Sequence, residues 1–563
     1  MKKQSIKGLA FIAVASSLVT SCDLMKDLDY KVTPNPLEMH GDSVRIKAEV
    51  TFPEKGIKKK ASADITPTLG GVALKPFTVL GEKATGNGTT IQYKPGGKVV
   101  YTEVVAYQPA FENADLVITG KVYKGGKEKK EIDPTVVAKG TIITPLLVNK
   151  DFKVIIASDE FKRVTEEKAI AQINYDKAKS NLKATELKDQ DIKDLEAWLK
   201  ASETNPKVAI KSINIIGYAS PEGEQGKNES LSSDRATTGK DATIGIAKKA
   251  KNTKSQEDIY KLEGKGEDWE GFKAALQKSS MNEDEKQLVV RVLEMYKDPV
   301  QRETEIRNMS KTFTYLEKNI LPELRRSEIH VVYDKTGFTD VELTNISKSK
   351  IDSLNVEEIL FTATLTTDLN EKLRLYSEAE RLHPNDYRTA NNVGAVLYMQ
   401  GKMGEAKAKF EKANSIKQNE VSQNNLAAIA GASGDRATAK QMLATAGSAS
   451  ETKYNQGIID IQEGNYAAAV SKLGENNFNK ALAQLLNGDA GAAIKTIDGS
   501  VDAESAQGYY LKAIASARQD KLDGIVSNLK NSFAKDGSMK AKALRDLEFH
   551  KYAENAAFTS IVK

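Results

Sequence analysis

Few residues of this 563-residue chain have the type and spacing that catalysis requires. The four histidines lie far apart along the chain, at His40, His330, His383 and His550. We predict that each is a solitary side chain, because metal and catalytic sites need such groups in clusters. Glu267 and Asp268 are adjacent acids, which we interpret as a solvated turn rather than an acid/base pair. The motifs G-x-S-x-G, the P-loop and H-E-x-x-H do not occur. The sequence therefore predicts no enzymatic activity, no cofactor and no metal site.

The single cysteine, Cys22, has a different chemistry, because its surroundings favour acylation of the thiol. Residues 1–21 begin with three lysines, and their apolar stretch at 8–18 is too short to span a bilayer. A branched apolar residue and two small residues then precede Cys22. This pattern resembles a bacterial lipobox, which implies that 1–21 is a lipoprotein signal peptide and that Cys22 carries lipid. The alternative is an ordinary signal peptide followed by a chance cysteine.

Lipid on Cys22 would make the membrane the first partner of this chain. Residues 22–37 would be the lipidated tether, and no later apolar run approaches the length of a transmembrane helix. The resemblance to lipoproteins implies a location at the outer membrane, and we expect the folded part to face the periplasm.

A second group of residues predicts a ligand site in the middle of the chain. Residues 210–218 read as a buried strand that leads into G-Y-A-S-P-E-G at 217–223, and N-x-x-L-S-x-x-R-A follows at 228–236. This order resembles the C-terminal peptidoglycan-binding domain of the OmpA family, in the variant common among Bacteroidota envelope proteins. The segment R-R-S-E-I at 325–329 is similar to the closing strand of that family. The resemblance covers about residues 165–335, with a helical insert near 275–320.

The resemblance implies an α/β OmpA-like domain at 151–335 that holds a diaminopimelate side chain of peptidoglycan. In that family an Asp takes the ammonium group and an Arg takes the carboxylate. Arg235 matches the arginine, but Ser220 stands at the aspartate position. Glu222 would supply the missing charge only if the turn before it aims it inward, and Asn228 is assigned to the same site. Alternatively, Arg235 is a structural residue of a domain without a ligand.

The elements before this domain read as β structure. Residues 43–52 alternate between apolar and polar side chains, which is typical of a half-buried strand. Gly125 and Gly126 are a hairpin signal. We therefore predict an immunoglobulin-like β domain over residues 38–150.

The elements after the central domain repeat. The signature positions of a tetratricopeptide unit are Gly394, Leu397, Gly401, Ala406, Phe410 and Ala413, and equivalent positions follow 33 residues later. We predict a linker at 336–354, an α-solenoid of about six units at 355–555 and a tail at 556–563. The groove-facing positions of the later units are apolar: Tyr454, Ile458, Ile461, Phe478, Leu482 and Leu485. Such a groove fits a partner helix, unless neighbouring helices of this chain fill it.

Composition and charge agree with a large folded protein of several domains. The chain is 40% hydrophobic and 28% charged, and its net charge of +5 gives no footprint for nucleic acid. The predicted fold class is multidomain: an N-terminal β-sandwich, a central α/β OmpA-like domain and a C-terminal helical TPR solenoid. The predicted function is a non-catalytic envelope lipoprotein that links the outer membrane to peptidoglycan and recruits a protein through its repeats. The alternatives are a scaffold subunit of an outer-membrane assembly or secretion complex without peptidoglycan binding, or a surface-exposed glycan-binding lipoprotein.

Overall fold

The computed structural model describes residues 24–25, 28–256 and 258–563. The predicted signal peptide and Cys22 lie outside the described residues. The chain divides into two compact units: the first extends to Ser158 and includes His383–Lys563, and the second is Asp159–Leu382. In the described ranges, each helix is too short or too polar to cross a membrane.

The first unit begins with a two-sheet β domain. Its strands are β1 (Asp29–Val32), β2 (Leu37–His40), β3 (Ser43–Phe52), β4 (Ala61–Leu69), β5 (Val72–Ala73), β6 (Phe77–Gly81), β7 (Thr89–Ile91), β8 (Gly97–Ala106), β9 (Asp115–Lys124), β10 (Lys127–Lys139) and β11 (Thr141–Ile142). In one sheet β3 pairs with β1, β2 and β8, and β2 pairs with β11; the other has the order β10-β9-β4-β6-β7, with β5 on β4. Alternate residues of β3 are buried, and the inward side chains of both sheets share cores, as the sequence pattern predicts.

The boundary of the predicted tether differs from the structure. Residues 29–32 form β1, which pairs with residues 48–51 of β3, and Leu37 begins β2. The pairing partner lies more than fifteen residues away in sequence, so local pattern alone gave no sign of this short edge strand. The hairpin predicted at Gly125 and Gly126 is present between β9 and β10, with both glycines at positive φ.

The second unit combines a four-stranded mixed sheet with helices. Its elements are β12 (Val164–Asn174), α1 (Gln190–Glu203), β13 (Val208–Ala219), α2 (Gln225–Lys249), β14 (Tyr260–Glu267), α3 (Trp269–Lys278), α4 (Glu283–Met295), α5 (Pro299–Arg307), α6 (Lys311–Asn319), β15 (Arg326–Thr336), α7 (Asp340–Ser349), α8 (Val356–Thr364) and α9 (Leu369–Leu382). The strand order is β12-β15-β13-β14, with β13 and β14 parallel and the other pairs antiparallel. Helices α1 and α2 bury their apolar faces on this sheet, and α3–α6, in the region of the predicted insert, have a separate core.

Three predicted boundaries of the repeat region are wrong in detail. The predicted linker 336–354 contains α7, which starts with a capping box between Thr339 and Glu342. The hairpin of α8 and α9, predicted as the first repeat, belongs to the second unit rather than to the array. The predicted tail 556–563 also forms a helix, whose bounds are given below.

The remainder of the first unit is an array of helical hairpins. Its helices are α10 (Tyr387–Met399), α11 (Met403–Ile416), α12 (Glu420–Ala432), α13 (Arg436–Leu443), α14 (Ser450–Glu463), α15 (Tyr466–Lys472), α16 (Phe478–Leu486), α17 (Ala490–Asp498), α18 (Ala506–Arg518), α19 (Leu522–Lys535), α20 (Ser538–Arg545) and α21 (Ala556–Val562). The small signature residues let paired helices approach closely: a Cβ on Gly394 would lie 2.7 Å from the Phe410 ring, and one on Gly457 would lie 2.6 Å from Leu473. The predicted TPR-like array is confirmed.

The β domain and the array meet within this unit through a tight backbone contact. Gly41, in the β2–β3 turn, donates its N–H to the Tyr466 hydroxyl at 3.0 Å. A Cβ on Gly41 would lie 2.6 Å from the backbone of Glu463, so only glycine fits here. Arg436 also pairs with Asp42.

Candidate functional sites

The first candidate site lies at the end of β13, where the sequence predicts peptidoglycan binding. Ser220 donates its hydroxyl to Glu222 Oε1 at 2.7 Å, so the turn does aim Glu222 inward. Arg325 reaches the same carboxylate oxygen from Nε at 2.9 Å and from Nη2 at 2.7 Å. Lys177 Nζ lies 3.1 Å from the other oxygen. We call Lys177, Ser220, Glu222 and Arg325 the Glu222 cluster.

Glu222 and Arg325 of this cluster are largely shielded from water, whereas the Lys177 side chain is 55% exposed. The side chains of Glu222 and Arg325 are 5% and 10% exposed. Their ion pair is therefore a strong, weakly screened contact that leaves little uncompensated charge on either partner. Lys177 also pairs with Glu317, and these two carboxylates raise its pKa.

Arg235 is also buried, but it contacts main chain rather than a carboxylate. Its guanidinium donates to the carbonyls of Lys179 at 3.0 Å, Tyr218 at 2.8 Å and Asp176 at 3.2 Å, and the residue is 1% exposed. The guanidinium also lies over the Tyr175 ring. Burial lowers the pKa of Arg235 to about 10. In this conformation Nε and both Nη atoms of the Arg235 guanidinium already donate to main-chain carbonyls of the chain itself.

Asn228 links the cluster to the start of α3. Its amide donates to Glu267 Oε1 at 2.9 Å and to the Glu222 carbonyl at 3.3 Å. Burial raises the pKa of Glu267, although Asn228 and Trp269 both donate to its carboxylate. The structure therefore brings three of the predicted residues, Ser220, Glu222 and Asn228, into direct contact.

The acid next to Glu267 differs from the prediction. Asp268 is not solvated: it is buried, accepts the N–H of Gly271 as the N-cap of α3, and pairs with Arg326 at 2.7 Å. A capping acid is stabilised by the helix N-terminus, which explains its position. Arg326 also pairs with Glu328.

Sequence reasoning missed the two cations of the Glu222 cluster. Arg325 lies in the R-R-S-E-I segment, but nothing in that segment indicates that its side chain turns toward Glu222. Lys177 precedes the predicted motifs in an irregular segment, and it meets Glu222 only through the fold.

The second candidate site is the groove of the helical array, which the chain fills with its own residues 148–157. We call this extended segment the strap. Val148 and Phe152 are buried in one core with the predicted groove residues Ile458, Ile461, Phe478, Leu482 and Leu485. Tyr454, the sixth predicted residue, donates its hydroxyl to Asp151 at 2.7 Å. Five of the six predicted positions therefore share a core with the strap, and the sixth bonds to it, so a segment of this chain lies against them.

Asparagines from four successive hairpins hold the main chain of the strap. Each accepts the N–H of one strap residue at its side-chain oxygen and donates its side-chain amide to the carbonyl of the same residue, and the two distances are given in that order. The pairs are Asn392 with Ala157 (2.7 and 3.1 Å), Asn425 with Ile155 (2.7 and 2.8 Å), Asn455 with Lys153 (2.7 and 2.8 Å) and Asn479 with Asn149 (2.8 and 2.9 Å). We call these four residues the asparagine clasp. The strap runs antiparallel to the order of the hairpins.

A second row of side chains supports the clasp. Asn391 donates to the Ile155 carbonyl at 3.1 Å, and Asn424 donates to the Lys153 carbonyl at 3.0 Å. Asn425 and Asn455 in turn donate to Asn391 and Asn424 of the preceding hairpin. The amides therefore form a buried network in which each side chain orients its neighbour.

The clasp was detectable in the sequence but was missed. Each clasp asparagine stands two residues before the small signature residue of its hairpin, at Gly394, Ala427, Gly457 and Ala481. An asparagine at one fixed offset in four consecutive repeats is a strong signal.

Neither site has the composition of a metal centre. In the parts of the chain that the structure describes, no three or more His, Cys, Asp or Glu side chains are grouped so as to hold a metal ion.

Comparisons with known proteins give no family. No family model matches the sequence, and no curated protein matches it. Solved structures are similar in part. A chain of the Cut9–Hcn1 hetero-tetramer of the APC/C is 12% identical with a TM-score of 0.32, and the match covers 38% of this chain and 45% of that one. A tetratricopeptide repeat protein from Parabacteroides merdae is 14% identical with a TM-score of 0.27, covering 37% and 91%.

Yeast Tom70 is similar at the same level, with 15% identity, a TM-score of 0.24, and coverage of 50% of this chain and 65% of that one. This chain thus spans less than half the length of the Cut9–Hcn1 chain that it matches. At these identities and TM-scores no function follows from the similarities.

Proposed function

We propose that the chain is a non-catalytic scaffold of the bacterial cell envelope, held at the outer membrane by lipid on Cys22 and facing the periplasm. One observation carries the scaffold role: the strap, which follows β11 directly, is gripped by four hairpins of the array. The β domain and the array are thereby held as one body, with further contacts at Gly41 and Tyr466. The β domain and the array form a rigid body, and residues of the chain itself occupy its candidate sites. Such a body suits a protein that positions other proteins.

The anchor is tested by replacing Cys22 with alanine. We expect Cys22→Ala to move the protein from the membrane fraction to the soluble fraction after a high-salt and carbonate wash. An alkyne-labelled fatty acid should be incorporated into the wild type and not into the variant. Ser21→Ala, which keeps a small residue before the cysteine, is the matched control and should remain membrane-bound. Retention of Cys22→Ala on the membrane would contradict the anchor.

The scaffold role is tested by cross-linking in membranes of cells that produce the tagged wild type. We expect envelope proteins to be captured with the wild type and to be lost with Cys22→Ala. Protease added to intact cells should leave the protein uncut if it faces the periplasm. Cleavage by the protease would favour a surface-exposed protein instead.

A peptidoglycan-linking role is the second candidate, and one observation favours it: Glu222 lies inward beside Ser220, where the OmpA-like resemblance requires an acid. Two features weigh against it, because Arg325 and Lys177 already compensate Glu222, and Arg235 is enclosed by carbonyls. For a scaffold, we expect the purified protein not to co-sediment with diaminopimelate-containing peptidoglycan. Co-sedimentation that rises in Ser220→Asp and is lost in a folded Arg235→Lys variant would establish the linking role.

A further inference from the structure

The groove of the array contacts mainly the main chain of the strap, so it restricts the identity of few strap side chains. On the strap, the clasp asparagines bond only to main-chain N–H and C=O groups, and every residue except proline offers both. The side chains of Lys150, Asp151 and Lys153 are exposed. The strap therefore contributes its backbone, the Asp151 carboxylate that accepts from Tyr454, and a small number of buried side chains to the contact.

The buried side chains define a spaced pattern. Val148 and Phe152 enter the apolar core of the array, and Ala157 is buried next to Asn392. Phe152 occupies a slot that exists because position 431 is glycine: a Cβ there would lie 2.5 Å from Phe152 Cζ. The groove thus accepts an aliphatic residue, an aromatic residue four positions later and a small residue five positions after that.

We propose that the groove binds extended polypeptide. The strap is its intramolecular ligand, and an extended segment of a partner protein displaces it. The partner segment carries the same pattern of aliphatic, aromatic and small residues and lacks proline at the clasped positions. It makes the same paired amide bonds, so the exchange leaves the buried asparagines satisfied. This inference does not depend on the lipid anchor or on peptidoglycan binding.

The strap competes as a tethered ligand, with an effective concentration on the order of mM. A free peptide therefore binds the wild type poorly and binds well only when the strap is weakened. Phe152→Ala weakens the strap in the full-length chain and replaces no residue of the array helices. Lys150→Ala changes an exposed strap residue and is the matched control. Ile155→Pro is a second way to weaken the strap, because proline removes the N–H that Asn425 accepts.

The experiment measures fluorescence anisotropy of a labelled peptide with the sequence of residues 146–158. We expect Phe152→Ala and Ile155→Pro proteins to bind it at least tenfold more tightly than the wild type or Lys150→Ala. Adding Asn425→Ala and Asn455→Ala to the Phe152→Ala chain should reduce the affinity at least tenfold. A peptide that is N-methylated at the position of Ile155, or has alanine in place of its phenylalanine, should bind at least tenfold more weakly.

Three results would overturn the proposal. The first is no peptide binding by a strap variant whose circular dichroism and melting show an intact fold. The second is equal binding of the N-methylated peptide, since the clasp would then not read the main chain. The third is dimerisation of the wild type with exchange of straps in light scattering, which would make the occupant a second copy of this chain.

Discussion

In the first unit, neutral amides hold a neutral main chain, whereas in the second unit charged side chains hold one another. The asparagine clasp distributes its bonds over four hairpins, and these bonds between neutral groups are insensitive to salt. The Glu222 cluster concentrates its contacts on one buried carboxylate, and the loss of one partner leaves the other charge unpaired. The comparison shows two ways of filling a groove or pocket from within: one suited to exchange, the other to permanent structure.

The largest expected effect comes from breaking the charged region at Glu222. Glu222→Ala leaves Arg325 buried without a counter-charge, which typically costs about 3–5 kcal/mol. Chemical denaturation should show this loss, and hydrogen exchange should localise it to the second unit. The double variant with Glu222→Met and Arg325→Met should lose much less, because neither charge remains. Equal losses in the single and double variants would show that the pair does not govern stability.

A smaller effect is expected from the clasp, and it should depend on position. Asn392→Ala leaves both the N–H and the C=O of Ala157 without their amide partner at a buried site. We expect this to lower the free energy of unfolding by about 2 kcal/mol. Asn425→Ala should cost less, because the Ile155 carbonyl keeps a donor in Asn391. Hydrogen exchange of residues 148–157 should rise more in Asn392→Ala. The same order should hold at low and high salt, because the clasp bonds join neutral groups.

The features that repeat or alternate within a short window were predictable from the sequence. The alternation in β3, the helix α1 that ends before Asn205, and the spacing of small residues in the array are local patterns, and the structure contains each of them. The strap was not predictable in this way. Residues 148–157 show neither strand nor helix periodicity, and their partners lie from 235 to 330 residues later in the chain.

The candidate sites show the same division. The turn at Ser220 and Glu222 follows from a local motif, whereas Lys177 and Arg325 reach Glu222 from distant segments. Gly239 lies inside the continuous helix α2, although glycine has a low helix propensity. A Cβ there would lie 2.6 Å from Ser327 Oγ, so packing against β15 outweighs the propensity cost of about 1 kcal/mol.

The contact between the strap and the array can also be tested at Phe152, the strap side chain that fits a slot at Gly431. Gly431→Ala places a methyl group against the Phe152 ring, and overpacking of this kind costs about 1–2 kcal/mol. Phe152→Leu in the same chain should recover most of the loss, because the smaller side chain leaves room for the methyl. Thermal melts of the two single variants and the double variant measure the coupling. Purely additive losses would show that Gly431 and Phe152 do not share a slot.

The smallest expected effect is a pH dependence that arises at Glu267 in the second unit. Burial raises the pKa of Glu267 above its ordinary 4.5, so the folded state binds this proton more tightly than the unfolded state does. The stability contributed by the protonated form is therefore present at low pH and is lost as the pH rises through the folded pKa. Glu267→Gln stays neutral at every pH and should flatten this decline, with a gain of less than about 1 kcal/mol at pH 7. Denaturation curves of both proteins between pH 4 and 7 measure the difference, and hydrogen exchange should confine it to residues near Asn228 and Trp269. An unchanged slope in Glu267→Gln would mean that another group titrates.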